Sequence, residues 1–417
     1  MQLKRVVVTG LGAITPIGNS VPAFWDSLLK GVSGASPISR FDASKFKTQF
    51  ACDVKGFDAG EHFDRKEARK YDLYAQFGLV CAHEAILDSG IDLDALDKDR
   101  AGVIWASGIG GLGTFSEEVT AFALGDGTPR FNPFFIPKMI ADITSGHISI
   151  RYGLRGPNFA TVSACASSAN SVVDAFNYIR LGKAEMFVCG GSEAALCPAG
   201  IGGFNALHAL STRNDDPTTA SRPFDKDRDG FVLGEGGGAL ILEEYEHAIA
   251  RGAKIYAEVA GGGLSADAYH MTAPHPEGLG AIKSMRDAIL DAEIQLTDID
   301  HINTHGTSTP LGDVAETSAI ISLFGEHAYK ININSTKSMT GHLLGAAGAI
   351  ESIATILAVQ NDIIPPTINH FTDDPELDNK LNLTFNQPQK RQVNYAISNT
   401  FGFGGHNVSV LFKKYRS

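Results

Sequence analysis

The sequence predicts an α/β fold built from two similar halves that meet near residue 250. Three observations predict it. Short apolar runs that read as buried strands alternate with segments of helical period. A strand–helix–strand grammar, packed into about 30 residues in its first instance, recurs in the second half. A late helix is apolar on nearly every face, as only a helix in the middle of a protein can be.

The elements follow in order. Arg5-Val6-Val7-Val8-Thr9-Gly10 reads as a buried strand ended by a glycine turn. Phe24, Leu28 and Leu29 follow at helical spacing. Residues 73–88 repeat apolar positions every three to four and stop near Gly90, a glycine C-cap. Residues 102–106, 158–164 and 186–189 are three further strands. Between the last two, a helix from Ala166 to Leu181 carries an apolar face of Ala169, Val172, Val173, Phe176 and Ile179, and Gly182 ends it. In the second half, residues 255–259 form a strand, 280–292 a helix and 299–304 a strand. A loop from Asn334 to Gly341 leads into the all-apolar helix, His342 to Val359, ended by Pro365-Pro366. The expected division is residues 1–250 and 251–417, each presenting a buried helix N-terminus to a shared centre.

Composition narrows the function. With 417 residues, 43% hydrophobic and 20% charged, the chain has ample material for a large core. Its five cysteines are odd in number and scattered, which points to a reduced, cytosolic protein in which one thiol is free to be a nucleophile. The N-terminal apolar run is too short for a secretory signal, and no run of about 18 apolar residues predicts a membrane span. A net charge of −12 argues against nucleic-acid binding. An acidic partner requires a local basic patch, and Arg65, Lys66, Arg69 and Lys70 would form one on a helix face that otherwise reads as a solvated surface.

Three patterns are decoys. Gly10-Leu11-Gly12 fails the dinucleotide fingerprint because Thr15 and Pro16 follow. Gly108-Ile109-Gly110-Gly111-Leu112-Gly113 satisfies it, but Pro129, Pro133 and Pro137 break the chain where the fingerprint needs a helix and a second strand. Those glycines read instead as backbone packing beside a substrate channel. His301 and His305 have the spacing of helical metal ligands but lie on a strand, where four residues span about 13 Å. His301 is therefore expected to be structural.

The positive signal is a cysteine and two histidines at comparable turns. Ser163-Ala164-Cys165-Ala166 places a thiol where a strand turns into a helix, and a helix N-terminus lowers a thiol pKa and stabilises an attacking thiolate. His305 ends a strand and enters Gly306-Thr307-Ser308-Thr309-Pro310, at the sheet mouth where α/β ligands bind. Thr307 and Thr309 offer hydroxyls to an amide-bearing substrate arm. His342 follows Lys337-Ser338-Met339-Thr340-Gly341, and a helix start there would keep its imidazole neutral. Asn399-Thr400-Phe401-Gly402-Phe403-Gly404-Gly405 can supply backbone N–H groups to an oxyanion.

From Val6-Val7-Val8-Thr9-Gly10-Leu11-Gly12 to Phe401-Gly402-Phe403-Gly404-Gly405 these stretches resemble the elongating, class II β-ketoacyl-[acyl carrier protein] synthases of the thiolase-like superfamily. The resemblance implies a layered α-β-α-β-α fold. It implies that an acyl chain passes from carrier-protein phosphopantetheine to Cys165, and that malonyl carrier protein loses carbon dioxide and attacks the thioester, extending a fatty acid by two carbons. It assigns His305 and His342 to the malonyl carbonyl, and the N–H groups of Cys165 and Phe403 to the oxyanion. Lys337, paired with Glu351, organises the site. Thr307 and Thr309 contact pantetheine, Ile109 and Phe204 line an acyl tunnel, and Phe403 gates it. Isoleucine at position 109 resembles the long-chain type. The family uses no metal or organic cofactor. Acyl carrier protein is the implied partner, with the cationic patch, Arg130 and Lys138 as its contacts. His208 stands where some members have arginine for the carrier, and His406 where certain relatives have threonine. The family is homodimeric, and residues 133–137 resemble its stretch that reaches the partner's tunnel. A polyketide-type ketosynthase and a non-catalytic chain-length subunit are the nearest alternatives, but the latter class has replaced its nucleophile. A thiolase would need a second cysteine after Cys197, and none follows.

Overall fold

A computed structural model describes residues 3–416. Its main sheet has ten strands: β1 (Val6–Ile14), β2 (Ala101–Ala106), β3 (Asn158–Thr161), β4 (Met186–Glu193), β5 (Gly236–Glu244), β6 (Ala257–Ala266), β7 (His301–Asn303), β8 (Asn332–Asn334), β9 (Tyr395–Gly402) and β10 (His406–Lys414). The longer helices are α1 (Val21–Lys30), α2 (Leu73–Ser89), α3 (Leu112–Leu124), α4 (Ile143–Tyr152), α5 (Ser167–Arg180), α6 (Leu279–Asp291), α7 (Pro310–Phe324) and α8 (Ala347–Asn361). No helix of the described residues is long and apolar enough to cross a membrane.

The strand order is β8-β7-β9-β10-β6-β1-β5-β4-β2-β3. The halves join where Val6–Val8 pairs antiparallel with Ala257–Val259. Outward from that seam, β1-β5-β4-β2-β3 and β6-β10-β9-β7-β8 repeat one pattern: two antiparallel pairings, then two parallel ones. The central layer is α5 and α8. Val172 and Phe176 of α5 and Ile350 and Ile353 of α8 pack in one cluster with Phe187 and Leu242 from the first half and Val408 and Val410 from the second. Neighbouring strand residues face the other way, as the two-residue period requires. Val188 meets α2 and α4, and Leu411 meets α6 and α7. The layer order is therefore α-β-α-β-α, as expected.

Sequence and structure differ at several boundaries. β1 does not end at Gly10 but runs to Ile14. Gly10 and Gly12 are there for close packing, since a Cβ would lie 2.2 Å from the Ala85 carbonyl oxygen and 2.0 Å from that of Cys81, both in α2. β6 begins at Ala257 and extends through the matching pair Gly261 and Gly263, which lie equally close to α6. β3 ends at Thr161, leaving residues 162–166 as a tight turn into α5. A helix does begin within Gly108–Gly113, namely α3, but no strand follows before β3. The cationic helix spans only Arg65–Ala68. Arg69 and Lys70 lie beyond it because Asp72 caps the start of α2, although all four cations are exposed. Finally, His342 does not begin a helix. A short turn of helix, Lys337–Thr340, stops at Gly341 with φ of +67°, and α8 starts only at Ala347. The His342 backbone is instead committed to a β-bridge: its N–H donates to the Val232 carbonyl at 2.8 Å and its carbonyl accepts from Gly234 at 2.9 Å.

Candidate active site

Cys165 stands in the turn between β3 and α5, after Ala164, whose φ of 51° is unusual for a residue with a Cβ. Its sulfur lies 3.1 Å from Nε2 of His342. The His305 and His342 rings stand edge to face with centroids 5.2 Å apart. Aromatic rings continue the row on both sides, with Phe231 5.2 Å from the His342 ring and Phe401 5.8 Å from that of His305. The Phe403 N–H reaches the sulfur from the hairpin between β9 and β10. Gly402 has to be glycine, because a Cβ there would lie 2.8 Å from the Ser163 carbonyl oxygen and 3.1 Å from the Cys165 nitrogen.

One cavity of about 590 Å³ contains this group. Cys165, His305 and His342 line it together with Ile109, Phe204, Phe403, Thr307 and Thr309. The Thr307 and Thr309 hydroxyls are 3.0 Å apart. Lys337 does not line the cavity. It lies beneath, 1% exposed, against the equally buried Glu351. His208 reaches the cavity wall, whereas His406 is exposed beside Gly404 and takes no part in it. His301 is the structural residue expected, fully buried with Nε2 2.8 Å from Asn334 Oδ1.

Electrostatics correct two expectations. Burial pushes the Cys165 thiol up to about 12, and the Lys337 charge and the Phe403 N–H only partly oppose this. The residue rests as a thiol, not as the free thiolate a helix N-terminus alone would favour. Both imidazoles are neutral, but not because of a helix dipole. Burial comes first, then the Lys337 charge, and together they hold His305 and His342 well below the ordinary histidine value. Two neutral imidazoles and the Phe403 N–H around a thiol form a donor-rich, desolvated site, suited to a carbonyl that gains negative charge.

Two supporting carboxylates escaped the sequence reading. Glu316 of α7 accepts the N–H groups of His305 and Gly306, both at 2.9 Å, and fixes the loop that carries His305. Glu193, at the end of β4, accepts donors from Ser107, Gly108, Ile109 and Gly345. Burial raises both to about 7 against those hydrogen bonds. Their signal was present: Glu193 closes an otherwise uncharged strand, and Glu316 interrupts a largely apolar helix.

The chain is similar to known proteins along nearly its whole length. The family described as "Beta-ketoacyl synthase, N-terminal domain" matches residues 3–248, and "Beta-ketoacyl synthase, C-terminal domain" matches residues 256–371. The chain is 50% identical over 416 residues to a 3-oxoacyl-[acyl-carrier-protein] synthase 2 of Synechocystis sp., covering 100% of this chain and 99% of that one. It is 49% identical over 415 residues to the synthase 2 of Vibrio harveyi, covering 99% of both. A β-ketoacyl synthase from Burkholderia phymatum STM815 superposes with a TM-score of 0.92 at 34% identity, over 99% of this chain and 100% of that one. A type II polyketide ketosynthase solved with its acyl-carrier protein gives a TM-score of 0.91 at 35% identity, over 100% of both chains. The chain therefore belongs to the β-ketoacyl synthase family, in its synthase 2 class, and is an acyltransferase that elongates fatty acids by condensation.

Proposed function

We propose that the enzyme joins a Cys165-bound acyl chain to malonyl carrier protein by decarboxylative condensation. One observation carries this assignment of roles: a thiol 3.1 Å from one neutral imidazole, with a second imidazole beside it, in one cavity. In the first half-reaction the Cys165 thiol gives up its proton as the sulfur attacks the acyl thioester. His342 Nε2 is the nearest base to receive it. The Cys165 and Phe403 N–H groups hold the oxyanion, and the pantetheine thiol leaves with a proton.

In the second half-reaction malonyl thioester occupies the vacated arm site, with Thr307 and Thr309 along the pantetheine. His305 and His342, each as the neutral tautomer whose N–H faces the cavity, donate to its carbonyl oxygen, so His342 exchanges its proton between the two ring nitrogens after acylation. The bond to the carboxylate breaks, carbon dioxide leaves, and the bonding electrons pass into the enolate that the two imidazoles stabilise. The enolate carbon attacks the Cys165 thioester, the carbon–sulfur bond breaks, and the departing thiolate takes up one proton from solvent to restore the thiol. Desolvation does much of the work, because neutral imidazoles donate strongly only where water does not compete. Lys337 adds to burial in keeping both rings uncharged.

The same reading places the acyl tail along Ile109 and Phe204, with Phe403 as its gate, and divides the chain near residue 250 into a nucleophile half and a histidine half. It takes the exposed cations Arg65, Lys66, Arg69 and Lys70, with Arg130 and Lys138, as the landing surface for an acidic carrier protein. It takes the exposed Phe134 and Ile136 as part of a homodimer contact. The five free cysteines suit a reducing cytoplasm.

Incubation with long-chain acyl carrier protein should give a single acyl adduct on Cys165 by mass spectrometry. Cys165→Ala should lose the adduct and lower condensation by roughly 10⁴-fold or more, as loss of a nucleophile does. Cys165→Gln should still decarboxylate malonyl carrier protein. Condensation at full rate by Cys165→Ala would refute the assignment.

A further inference from the structure

Glu193 has no contact with the sulfur or the imidazoles in the mechanism above, yet its carboxylate is fully buried and fully committed. Oε1 accepts the Ser107 hydroxyl at 2.8 Å and the Ile109 N–H at 3.2 Å. Oε2 accepts the Gly108 N–H at 2.7 Å and the Gly345 N–H at 3.0 Å. Ser107 passes the constraint on, since its hydroxyl oxygen accepts the Gly110 N–H at 2.9 Å. Four donors on one carboxylate fix it in place, and through it they fix two separate segments.

One segment is the turn after β2 that presents Ile109 to the cavity. The other is the stretch between His342 and α8. They touch directly: a Cβ at Gly345 would lie 2.2 Å from the Gly108 nitrogen, and a Cβ at Gly108 would lie 2.8 Å from Glu193 Oε2 and 3.3 Å from the Ala164 carbonyl oxygen. The Glu193 carboxylate and the Ser107 hydroxyl occupy the joint. The tunnel wall and the His342 segment therefore meet at this one acidic side chain, and the turn bearing Cys165 lies against Gly108.

We propose that Glu193 is a positioning residue for acyl-chain selection: it holds Ile109 at a fixed depth in the cavity relative to Cys165 and His342. The inference rests on the reading of Ile109 as tunnel wall. A neutral amide cannot replace the carboxylate, because its NH₂ group would face two N–H or O–H donors and leave them unpaired. The Ile109 turn then relaxes, and discrimination between chain lengths loosens as it would on trimming the isoleucine itself.

The test is the ratio of kcat/KM for myristoyl over hexanoyl carrier protein. Ile109→Ala should move this ratio, and Glu193→Gln should move it in the same direction by about tenfold, the scale of a small misfit in an apolar pocket. Ser107→Ala, which removes one donor and keeps the carboxylate, should give a smaller shift of the same sign and serves if Glu193→Gln does not fold. In the Ile109→Ala background, Glu193→Gln should add almost nothing, because the residue it positions is gone. A ratio moved by Ile109→Ala but by neither staple variant overturns the role of Glu193 and leaves the tunnel reading intact. So does a full tenfold effect of Glu193→Gln retained in the Ile109→Ala background. A ratio that Ile109→Ala does not move overturns both.

Discussion

The two halves share strand order, strand sense and a buried central helix, but they differ at the junction where that helix begins. In the first half only residues 162–166 separate β3 from α5, so Cys165 sits at the helix tip. In the second half residues 335–346 separate β8 from α8. That insert holds Lys337, the turn at Gly341 and His342, and the histidine is fixed by a β-bridge instead of a helix start. Support differs too. In each half a buried carboxylate, Glu193 or Glu316, gathers backbone N–H groups, but the second also rests on a buried cation, Lys337, paired with Glu351. One topology thus supplies a thiol from a short junction and, from a long one, an imidazole kept neutral by burial first and by the neighbouring cation second.

The largest expected effect tests whether the two histidines are equivalent. His342→Ala should slow both cysteine acylation and malonyl decarboxylation, because its Nε2 touches the sulfur. His305→Ala should spare acylation and lower decarboxylation by about a thousandfold, the upper range for losing one oxyanion donor. Single-turnover acylation and carbon dioxide release, measured separately, check this. Equal loss in both steps for both variants would break the distinction.

Next in size is the cation beneath the second half. Lys337→Met leaves Glu351 as an unpaired buried carboxylate and should cost about 3–5 kcal/mol of stability in denaturant unfolding. Lys337→Met combined with Glu351→Leu should recover much of that loss without recovering activity. A double variant as unstable as the single one would mean that the ion pair is not what the first substitution disrupted.

The smallest effect concerns the thiol. With Cys165 pushed up to about 12, its alkylation by iodoacetamide should climb roughly tenfold per pH unit between pH 7 and 9 without levelling off. The sign follows from the raised value: the reactive thiolate is the minor form throughout that range, and each unit of pH multiplies it. A plateau below pH 8 would mean that the helix N-terminus outweighs burial, and that the two junctions are electrostatically more alike than their structures indicate.

Much of this was legible in the sequence, because periodicity and glycine placement are local. The apolar face of α5 and the all-round apolarity of α8 identify the central layer, since no other position satisfies them. The chemistry-bearing types at turns, Cys165, His305 and His342, name the site, and the resemblance assigns their parts. What periodicity could not reach were facts that depend on distant neighbours. Whether His342 starts a helix is decided by the Val232–Gly234 backbone beside it. Whether Cys165 rests as thiol or thiolate is decided by how deeply the assembled layers bury it. Glu193 and Glu316 gain their importance only once folding brings backbone donors from remote loops onto single carboxylates. Local pattern determines which segment becomes strand or helix, because backbone geometry repeats over a few residues. Ionisation and positioning belong to the folded molecule, because both are set by charge and solvent exclusion acting through space.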